Sequence, residues 1–178
     1  MRQEIRISGF GGQGVVLAGY LLGKALSLYQ GLEAVMTQSY GPEARGGASS
    51  ANIVVADRSI AYPFVQQADI FVGLSQEGYS RYRDEATNEA TILIDGGLVT
   101  PRKGDQVLTI QATELAEGLG RRIVANVVML GFLCASTAVI QRDALEEAIR
   151  TTVKEAVIPL NLTAFELGYK QGQVEEAA

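Results

Sequence analysis

Residues 4–15 read Glu4-Ile5-Arg6-Ile7-Ser8-Gly9-Phe10-Gly11-Gly12-Gln13-Gly14-Val15, and an apolar helical pattern continues to Leu28. The run before Gly9 has the composition of a strand, so the glycines fall between a strand and a helix. A helix N-terminus carries unpaired N–H groups and a partial positive charge, which suits a phosphate. Glycines also let the backbone approach such a ligand closely. The candidate binding residues here are Gly9, Gly11, Gly12, Gln13 and Gly14.

A second glycine-rich loop reads Tyr40-Gly41-Pro42-Glu43-Ala44-Arg45-Gly46-Gly47 and follows a predicted strand over residues 34–37. In open α/β sheets, ligands bind at the carboxyl ends of the strands, where both loops are expected. The loop carries one fixed positive charge, which suits an anionic ligand. An ordinary surface turn is the alternative, because Gly-Pro and Gly-Gly are common turn signals. The candidate site residues here are Ser39, Tyr40, Gly41, Glu43, Arg45 and Gly46.

The order of patterns along the chain predicts an α/β fold. Strands are expected at residues 5–8, 34–37, 50–56, 69–74, 91–95 and 107–111, with helices between several of them. Alternating strands and helices indicate a mostly parallel open sheet flanked by helices, which is Rossmann-like. The last third is predicted to be helical. The whole chain, 1–178, is expected to form one domain.

Local signals predict where individual helices begin. Ser75 is expected to cap a short helix that runs to Tyr82. Asp143 and Glu146 resemble a capping box that would open a helix over residues 144–156. Residues 123–141 carry no charge and are predicted to form a buried helix rather than a membrane span. Cys134 lies within that helix and is expected to be a core residue.

The composition excludes several classes of chemistry. The 178 residues include one cysteine and no histidine, and the net charge is −5. A histidine-based metal site and a Ser-His-Asp triad are therefore impossible, and one thiol cannot hold an iron–sulfur cluster. An acidic chain is also not expected to bind nucleic acid broadly. The single cysteine and the lack of an apolar signal-peptide core predict a cytoplasmic location.

Gly9, Gly11 and Gly14 fit the G-x-G-x-x-G pattern of dinucleotide-binding proteins. That fingerprint also requires an acidic residue at the end of the second strand, but this strand ends Met36-Thr37-Gln38-Ser39. A stand-alone nucleotide-binding oxidoreductase therefore lacks its specificity element, although it remains an alternative. The glycines could also serve only the close packing of the strand on the helix.

The two loops taken together resemble the gamma subunit of 2-oxoacid:ferredoxin oxidoreductases, and the similarity covers essentially the whole chain. It includes Ser75-Gln76-Glu77 and the helix that starts near Asn126. The resemblance implies the oxidative decarboxylation of a 2-oxoacid to an acyl-coenzyme A with reduction of ferredoxin. It favours the 2-oxoglutarate branch, while pyruvate and branched-chain 2-oxoacids stay open.

The same resemblance implies that the chain holds no cofactor alone and has no catalytic or metal-binding residue. Thiamine diphosphate and iron–sulfur clusters are expected on partner subunits of the alpha, beta and delta types, and ferredoxin is an indirect partner. Coenzyme A is a candidate shared ligand, with a phosphate on the N–H groups of residues 11–14, Arg45 supplying charge, and Gln13 or Ser39 orienting it. In the alternative, a purely structural subunit, Glu43 and Arg45 pair across an interface. The isolated chain is also expected to form a homodimer, with no nucleic-acid or membrane partner.

Overall fold

A computed structural model describes residues 1–40 and 47–176 of the chain. Its sheet has six strands in the order β2-β3-β1-β4-β5-β6. The strands are β1 (Arg2–Phe10), β2 (Glu33–Tyr40), β3 (Ala48–Ala56), β4 (Ala68–Gly73), β5 (Ala86–Asp95) and β6 (Leu108–Ile110). The helices are α1 (Val15–Lys24), α2 (Gln76–Tyr82), α3 (Ala112–Gly118), α4 (Ala125–Ser136), α5 (Arg142–Arg150) and α6 (Ile158–Glu176).

The sheet is mostly parallel, as predicted, and one strand runs the other way. β1, β4, β5 and β6 are parallel neighbours, whereas β3 is antiparallel to both β1 and β2. The reason is the length of the connection between β2 and β3, residues 41–47. A parallel pair needs a crossover of about a dozen residues or more, so a connection this short allows only an antiparallel pairing of β2 with β3. β2 therefore points in the same direction as β1. The predicted α/β fold with a helical last third is confirmed.

Alternation along β1 divides the interior into two cores. Ile5 and Ile7 are buried on the face that α1, α4 and α5 cover, and they belong to the larger core. Arg6 and Ser8 point to the opposite face, where a smaller core forms around Phe71 and α2. Helix α4 is buried from Asn126 to Cys134 and contributes to the larger core, which accounts for its apolar composition. Within the described residues no helix is both long and apolar enough to span a bilayer.

Three predicted helix boundaries are wrong: the start and the end of α5 and the end of α4. The capping box of Asp143 and Glu146 does not form, because α5 begins two residues earlier than predicted and its N-cap residue, Gln141, makes no side-chain cap. Glu146 instead accepts a hydrogen bond from Nε of Arg142 at 2.8 Å. α5 also ends at Arg150 rather than residue 156, and α4 ends at Ser136, where the next residue, Thr137, is extended. The Ser75 cap of α2 is confirmed. One domain over 1–178 stays a prediction.

Candidate functional site

The first glycine loop forms a tight turn between β1 and α1. The Gln13 N–H donates to the Phe10 carbonyl at 3.1 Å and closes the turn. Gly12 and Gly14 have φ values of 93° and 72°, in the left-handed region that disfavours residues with a Cβ. Gly14 is the N-cap residue of α1, and its carbonyl accepts the Ala18 N–H at 2.9 Å. The predicted strand–glycine turn–helix unit is therefore present.

The Gln13 side chain holds the loop together. Its Oε1 accepts a hydrogen bond from the Phe10 N–H at 2.6 Å, and its Nε2 donates to the Leu74 carbonyl at 2.8 Å. Both ends of the amide are thus engaged within the chain, where they link the loop to the end of β4. The sequence suggested that Gln13 orients a ligand. In the structure its contacts shape the loop.

Asn126 supports the loop from the other side. This residue at the start of α4 is 2% exposed, and its Nδ2 donates to the Gly14 carbonyl at 3.0 Å. A Cβ on residue 14 would lie 2.4 Å from that Nδ2. Glycine is therefore required at position 14 by its backbone conformation and by its neighbour. The resemblance pointed to Asn126 without a role, and the structure assigns it the support of this loop.

Helix α2 packs directly against the end of β1. The Ser75 Oγ accepts a hydrogen bond from the Gly78 N–H at 3.1 Å and caps the helix. A Cβ on Gly78 would approach the Gly9 nitrogen to 2.8 Å. Only glycine at position 78 allows α2 to sit this close to the loop.

The N–H groups of Gly11 and Gly12 lie at the exposed tip of the loop and have no acceptor among the described residues. They lie just before the N-terminus of α1, whose partial positive charge adds to theirs. The arrangement can bind an anionic oxygen.

A cleft of about 580 Å³ opens beside these groups. It lies above the carboxyl ends of β1, β4 and β5, the edge at which ligands bind in open α/β sheets. A smaller cleft of about 210 Å³ adjoins it across Arg122. The larger cleft is lined by Phe10, Gly11, Gly12, Gln13, Ser75, Gln76, Glu77, Leu98 and Arg122.

Arg122 brings a positive charge to the loop, although no pattern in the sequence predicted a role for this residue. Its side chain lines both clefts, and it is 64% exposed in an ion pair with Glu117, at 3.5 Å between Nη1 and Oε1. The exposure leaves donors for a ligand. The spacing in the sequence could have indicated this role. Arg122 lies four residues before Asn126, and because Asn126 bonds to the loop, Arg122 is held near the loop as well.

Two carboxylates near the cleft have structural partners. Glu77 accepts a hydrogen bond from the Ala48 N–H at 3.2 Å, which ties α2 to the start of β3. Asp95 is buried, and its Oδ2 accepts the N–H and the Oγ1 hydroxyl of Thr113 at 2.9 and 2.6 Å. Asp95, at the end of β5, therefore caps the N-terminus of α3. Neither geometry is that of an acid–base pair.

The end of β2 lies at the same edge of the sheet but outside the cleft. Tyr40 of β2 pairs with Ser49 of β3, and Ser49 pairs with Gly9 of β1. Ser39 and Tyr40 therefore lie close to the loop that follows β1. Met36 contacts Gly19 of α1, and Tyr40 shares the Met36 face by alternation. Neither Ser39 nor Tyr40 is among the residues that line the cleft. The other predicted members of the second loop, Gly41, Glu43, Arg45 and Gly46, lie outside the described residues.

Cys134 takes no part in this site. It is buried in α4, and burial raises the pKa of its thiol to about 12. The thiol is thus fully protonated at neutral pH, and the prediction of a core cysteine is confirmed. Among the described residues, no three His, Cys, Asp or Glu side chains are close enough to hold a metal ion.

Comparisons with known proteins agree with the fold. The family model for pyruvate ferredoxin/flavodoxin oxidoreductases matches residues 4–171. The 2-oxoglutarate synthase subunit KorC of Methanocaldococcus jannaschii is 46% identical over 175 residues, which covers 96% of this chain and 94% of the relative. The gamma subunit of a keto/oxoacid ferredoxin oxidoreductase from Geobacter sulfurreducens superposes with a TM-score of 0.89 at 37% identity, over 98% of both chains.

A larger enzyme contains the same fold. The 2-oxoglutarate:ferredoxin oxidoreductase of Magnetococcus marinus, solved with 2-oxoglutarate, coenzyme A and succinyl-CoA bound, gives a TM-score of 0.87 at 23% identity. The match covers 97% of this chain and 31% of that one, and at this identity it shows the fold. The predicted resemblance and the predicted role as an oxidoreductase subunit are confirmed by the closer relatives. The chain belongs to the pyruvate ferredoxin/flavodoxin oxidoreductase family, as a subunit of the gamma type.

Proposed function

We propose that this chain is the gamma subunit of a 2-oxoglutarate:ferredoxin oxidoreductase and that its first glycine loop helps to bind coenzyme A. The enzyme would convert 2-oxoglutarate to succinyl-CoA and carbon dioxide and pass the electrons to ferredoxin. The observation that carries the proposal is the cleft that Gly11 and Gly12, with their N–H groups, and the cationic residue Arg122 line together. Support for the substrate comes from the relatives named for 2-oxoglutarate.

Coenzyme A fits the chemistry of this cleft through its phosphates. A pyrophosphate or a 3′-phosphate can accept hydrogen bonds from the N–H groups of Gly11 and Gly12 and a charge-assisted bond from Arg122. Glu77 also lines the cleft and would repel a phosphate, so we place the phosphate on the Arg122 side. Arg45 is retained in the proposal as a second positive charge. Gln13 contributes by shaping the loop, since its amide is already bonded.

The redox groups belong to other chains in this proposal. A buried single thiol cannot ligate a cluster, and the chain has no histidine. Thiamine diphosphate and the iron–sulfur clusters would therefore lie on subunits of the alpha, beta and delta types. A cytoplasmic location and self-association of the isolated chain complete the proposal.

A docking role for the same loops is the second candidate. Phe10 and Tyr40 are 39% and 66% exposed at the carboxyl ends of β1 and β2. Exposed aromatic side chains of this kind are typical of protein interfaces. In this case Glu43 and Arg45 would pair with a partner subunit rather than with coenzyme A. The stand-alone nucleotide-binding oxidoreductase is not favoured by the relatives.

Kinetics of the assembled enzyme separate the two candidates. Arg122→Ala and Arg45→Ala are each expected to raise the KM for coenzyme A about tenfold to a hundredfold, the value of a lost charge-assisted bond. The KM for 2-oxoglutarate and the yield of complex should not change. Arg121→Ala is the matched control, because Arg121 is exposed next to Arg122 but does not line the cleft. An unchanged KM for coenzyme A in both variants would contradict the binding role, and a loss of complex would favour docking.

The 2-oxoacid is tested in the same preparation. Reduction of ferredoxin is measured with 2-oxoglutarate, pyruvate and 2-oxoisovalerate at saturating coenzyme A. We expect the highest kcat/KM for 2-oxoglutarate. A clear preference for either of the other two would reject the substrate assignment but leave the subunit assignment in place.

A further inference from the structure

β2 is an unpaired edge of the sheet. It spans eight residues, Glu33–Tyr40, and pairs with β3 along its whole length without a shift of register. In the described part of the chain no strand lies on its other side. Such an edge presents a row of free N–H and C=O groups that can pair with another strand.

The sequence of β2 does not protect this edge. Proteins commonly blunt an edge strand with proline, lysine, a bulge or a very short length. β2 contains no proline, lysine or arginine, and its one charged residue, Glu33, stands at the first position. The opposite edge, β6, has only three residues and is blunted by its shortness. The two edges of the sheet thus differ in their readiness to pair.

An exposed apolar surface on α1 continues from this edge. Gly19 packs against Met36 of β2 and Ala51 of β3, so α1 lies over these two strands. On the same helix Leu17 and Tyr20 are 39% and 51% exposed. Large apolar side chains grouped beside an open sheet edge indicate an interaction surface.

We propose that two copies of this chain pair antiparallel through β2, around a two-fold axis at Thr37. Each Thr37 then faces the Thr37 of the other copy, a cross-strand pair that is favourable in sheets. Met36 faces Gln38, Val35 faces Ser39, and Ala34 faces Tyr40. A two-fold axis perpendicular to the sheet keeps both α1 helices on the same face, where they cover each other's Leu17 and Tyr20.

The absence of charged residues from the paired stretch of β2 favours a second copy of this chain as its partner. An isologous interface requires that a surface match itself, and charged strands usually fail because like charges meet. In this register every facing pair is uncharged, and Glu33 falls outside the paired stretch. The even-numbered residues share the α1 face in both copies, so the register also keeps the faces matched.

The test compares lysine substitutions at the two edges of the sheet in the purified full-length chain. Sedimentation velocity over a range of concentrations should show a dimer for the wild type. Thr37→Lys places two ammonium groups opposite each other at the axis and should weaken the dimer at least tenfold. Thr109→Lys, the same change at an exposed position of β6, should leave it intact. Circular dichroism and melting curves establish that both variants are folded.

A cysteine trap provides a second measurement. Facing residues of an antiparallel pair have Cα atoms about 4.5–5.5 Å apart, which is within disulfide range. Thr37→Cys should therefore form a covalent dimer on mild oxidation, whereas Thr109→Cys should not, and the native Cys134 is buried. A monomeric wild type, or a Thr37→Lys dimer as tight as the wild type, would overturn the proposal. Loss of partner subunits from Thr37→Lys with a monomeric wild type would instead assign the edge to another chain.

Discussion

The side-chain amide of Asn126 donates to the Gly14 carbonyl at 3.0 Å, and the same carbonyl accepts the first helical hydrogen bond of α1 from Ala18. One oxygen atom thus joins the glycine loop, the start of α1 and the start of α4. Because Asn126 is buried and its Oδ1 also accepts the Val127 N–H, its orientation is determined on both sides. The position of the loop therefore depends on how α4 packs in the core.

Asn126→Ala tests this dependence. Removing the amide leaves the loop without its support, so we expect the KM for coenzyme A of the assembled enzyme to rise about tenfold, with a loss of stability of about 1–2 kcal/mol. Asn161→Ala is the control, since Asn161 is also buried and donates to a backbone carbonyl, that of Val157, at 2.8 Å. The control should lose similar stability and keep its KM. Equal effects of both variants on the KM would contradict a positioning role.

The contact between α4 and α6 predicts a large loss of stability. A Cβ on Gly131 would lie 2.0 Å from the Phe165 carbonyl oxygen, and one on Gly168 would lie 1.8 Å from that of Val128. Backbone atoms of a packed helix cannot move aside cheaply, so Gly131→Ala and Gly168→Ala should each cost about 3 kcal/mol in urea unfolding. Gly118→Ala, at the exposed end of α3 with no atom within 4 Å, should be neutral or stabilise by up to about 1 kcal/mol. Tolerance of alanine at both 131 and 168 would show that the helices are further apart.

Asp105 predicts a dependence of stability on acid pH. Its burial raises the pKa of the carboxyl, but hydrogen bonds from Arg83, at 2.9 and 3.0 Å, and from Tyr79 outweigh this, so the pKa is lowered. Because the pKa of Asp105 is lower in the folded state than in the unfolded state, its ionised carboxylate stabilises the fold at pH values above about 4, the pKa of an unfolded-state aspartate. This stabilisation is lost as the pH falls through the pKa of the folded state. Asp105→Asn should cost about 2 kcal/mol at pH 7 and reduce the further loss below pH 4.

The matched control for this measurement is Asp84→Asn. Asp84 also pairs with an arginine, Arg102, but its side chain is 78% exposed, so solvent screens the pair. We expect little measurable change in denaturant midpoint at any pH. If both variants have the same pH profile, the acid dependence arises elsewhere in the protein.

Cys134 predicts slow reaction with thiol reagents. Burial raises the pKa of the thiol from 9.0 to about 12, so at pH 8 the folded protein contains almost no thiolate, and reagent access is blocked as well. Labelling should be complete in urea and slow in the native chain, while the exposed cysteine of Thr109→Cys serves as a fast reference. The raised pKa also implies that its contribution to stability is present below pH 9 and is lost as the pH rises toward 12. Rapid native labelling would contradict the packing of α4.

Short-range patterns in the sequence determined the strand–loop–helix unit around residues 9–14 and the Ser75 cap. A glycine turn and an N-cap depend on neighbours within a few residues, so they can be recognised in a linear sequence. The capping box at Asp143 failed although it is also local, because the Arg142–Glu146 ion pair and an earlier helix start prevailed. The alternation of strands and helices likewise predicted the sheet, whereas the reversed direction of β3 follows from the short connection at residues 41–47.

Only the tertiary structure brought Asn126 and Arg122 to the loop at Gly14, because more than a hundred residues of chain separate them and no periodicity reports such a distance. It also showed that the Gln13 amide bonds to Phe10 and Leu74 and that Tyr40 does not line the cleft. These facts depend on how the sheet and α4 pack, which involves long-range contacts. The sequence by itself therefore determined that a glycine turn precedes a helix and presents backbone N–H groups. The packing of the core decided which distant side chains lie beside that turn.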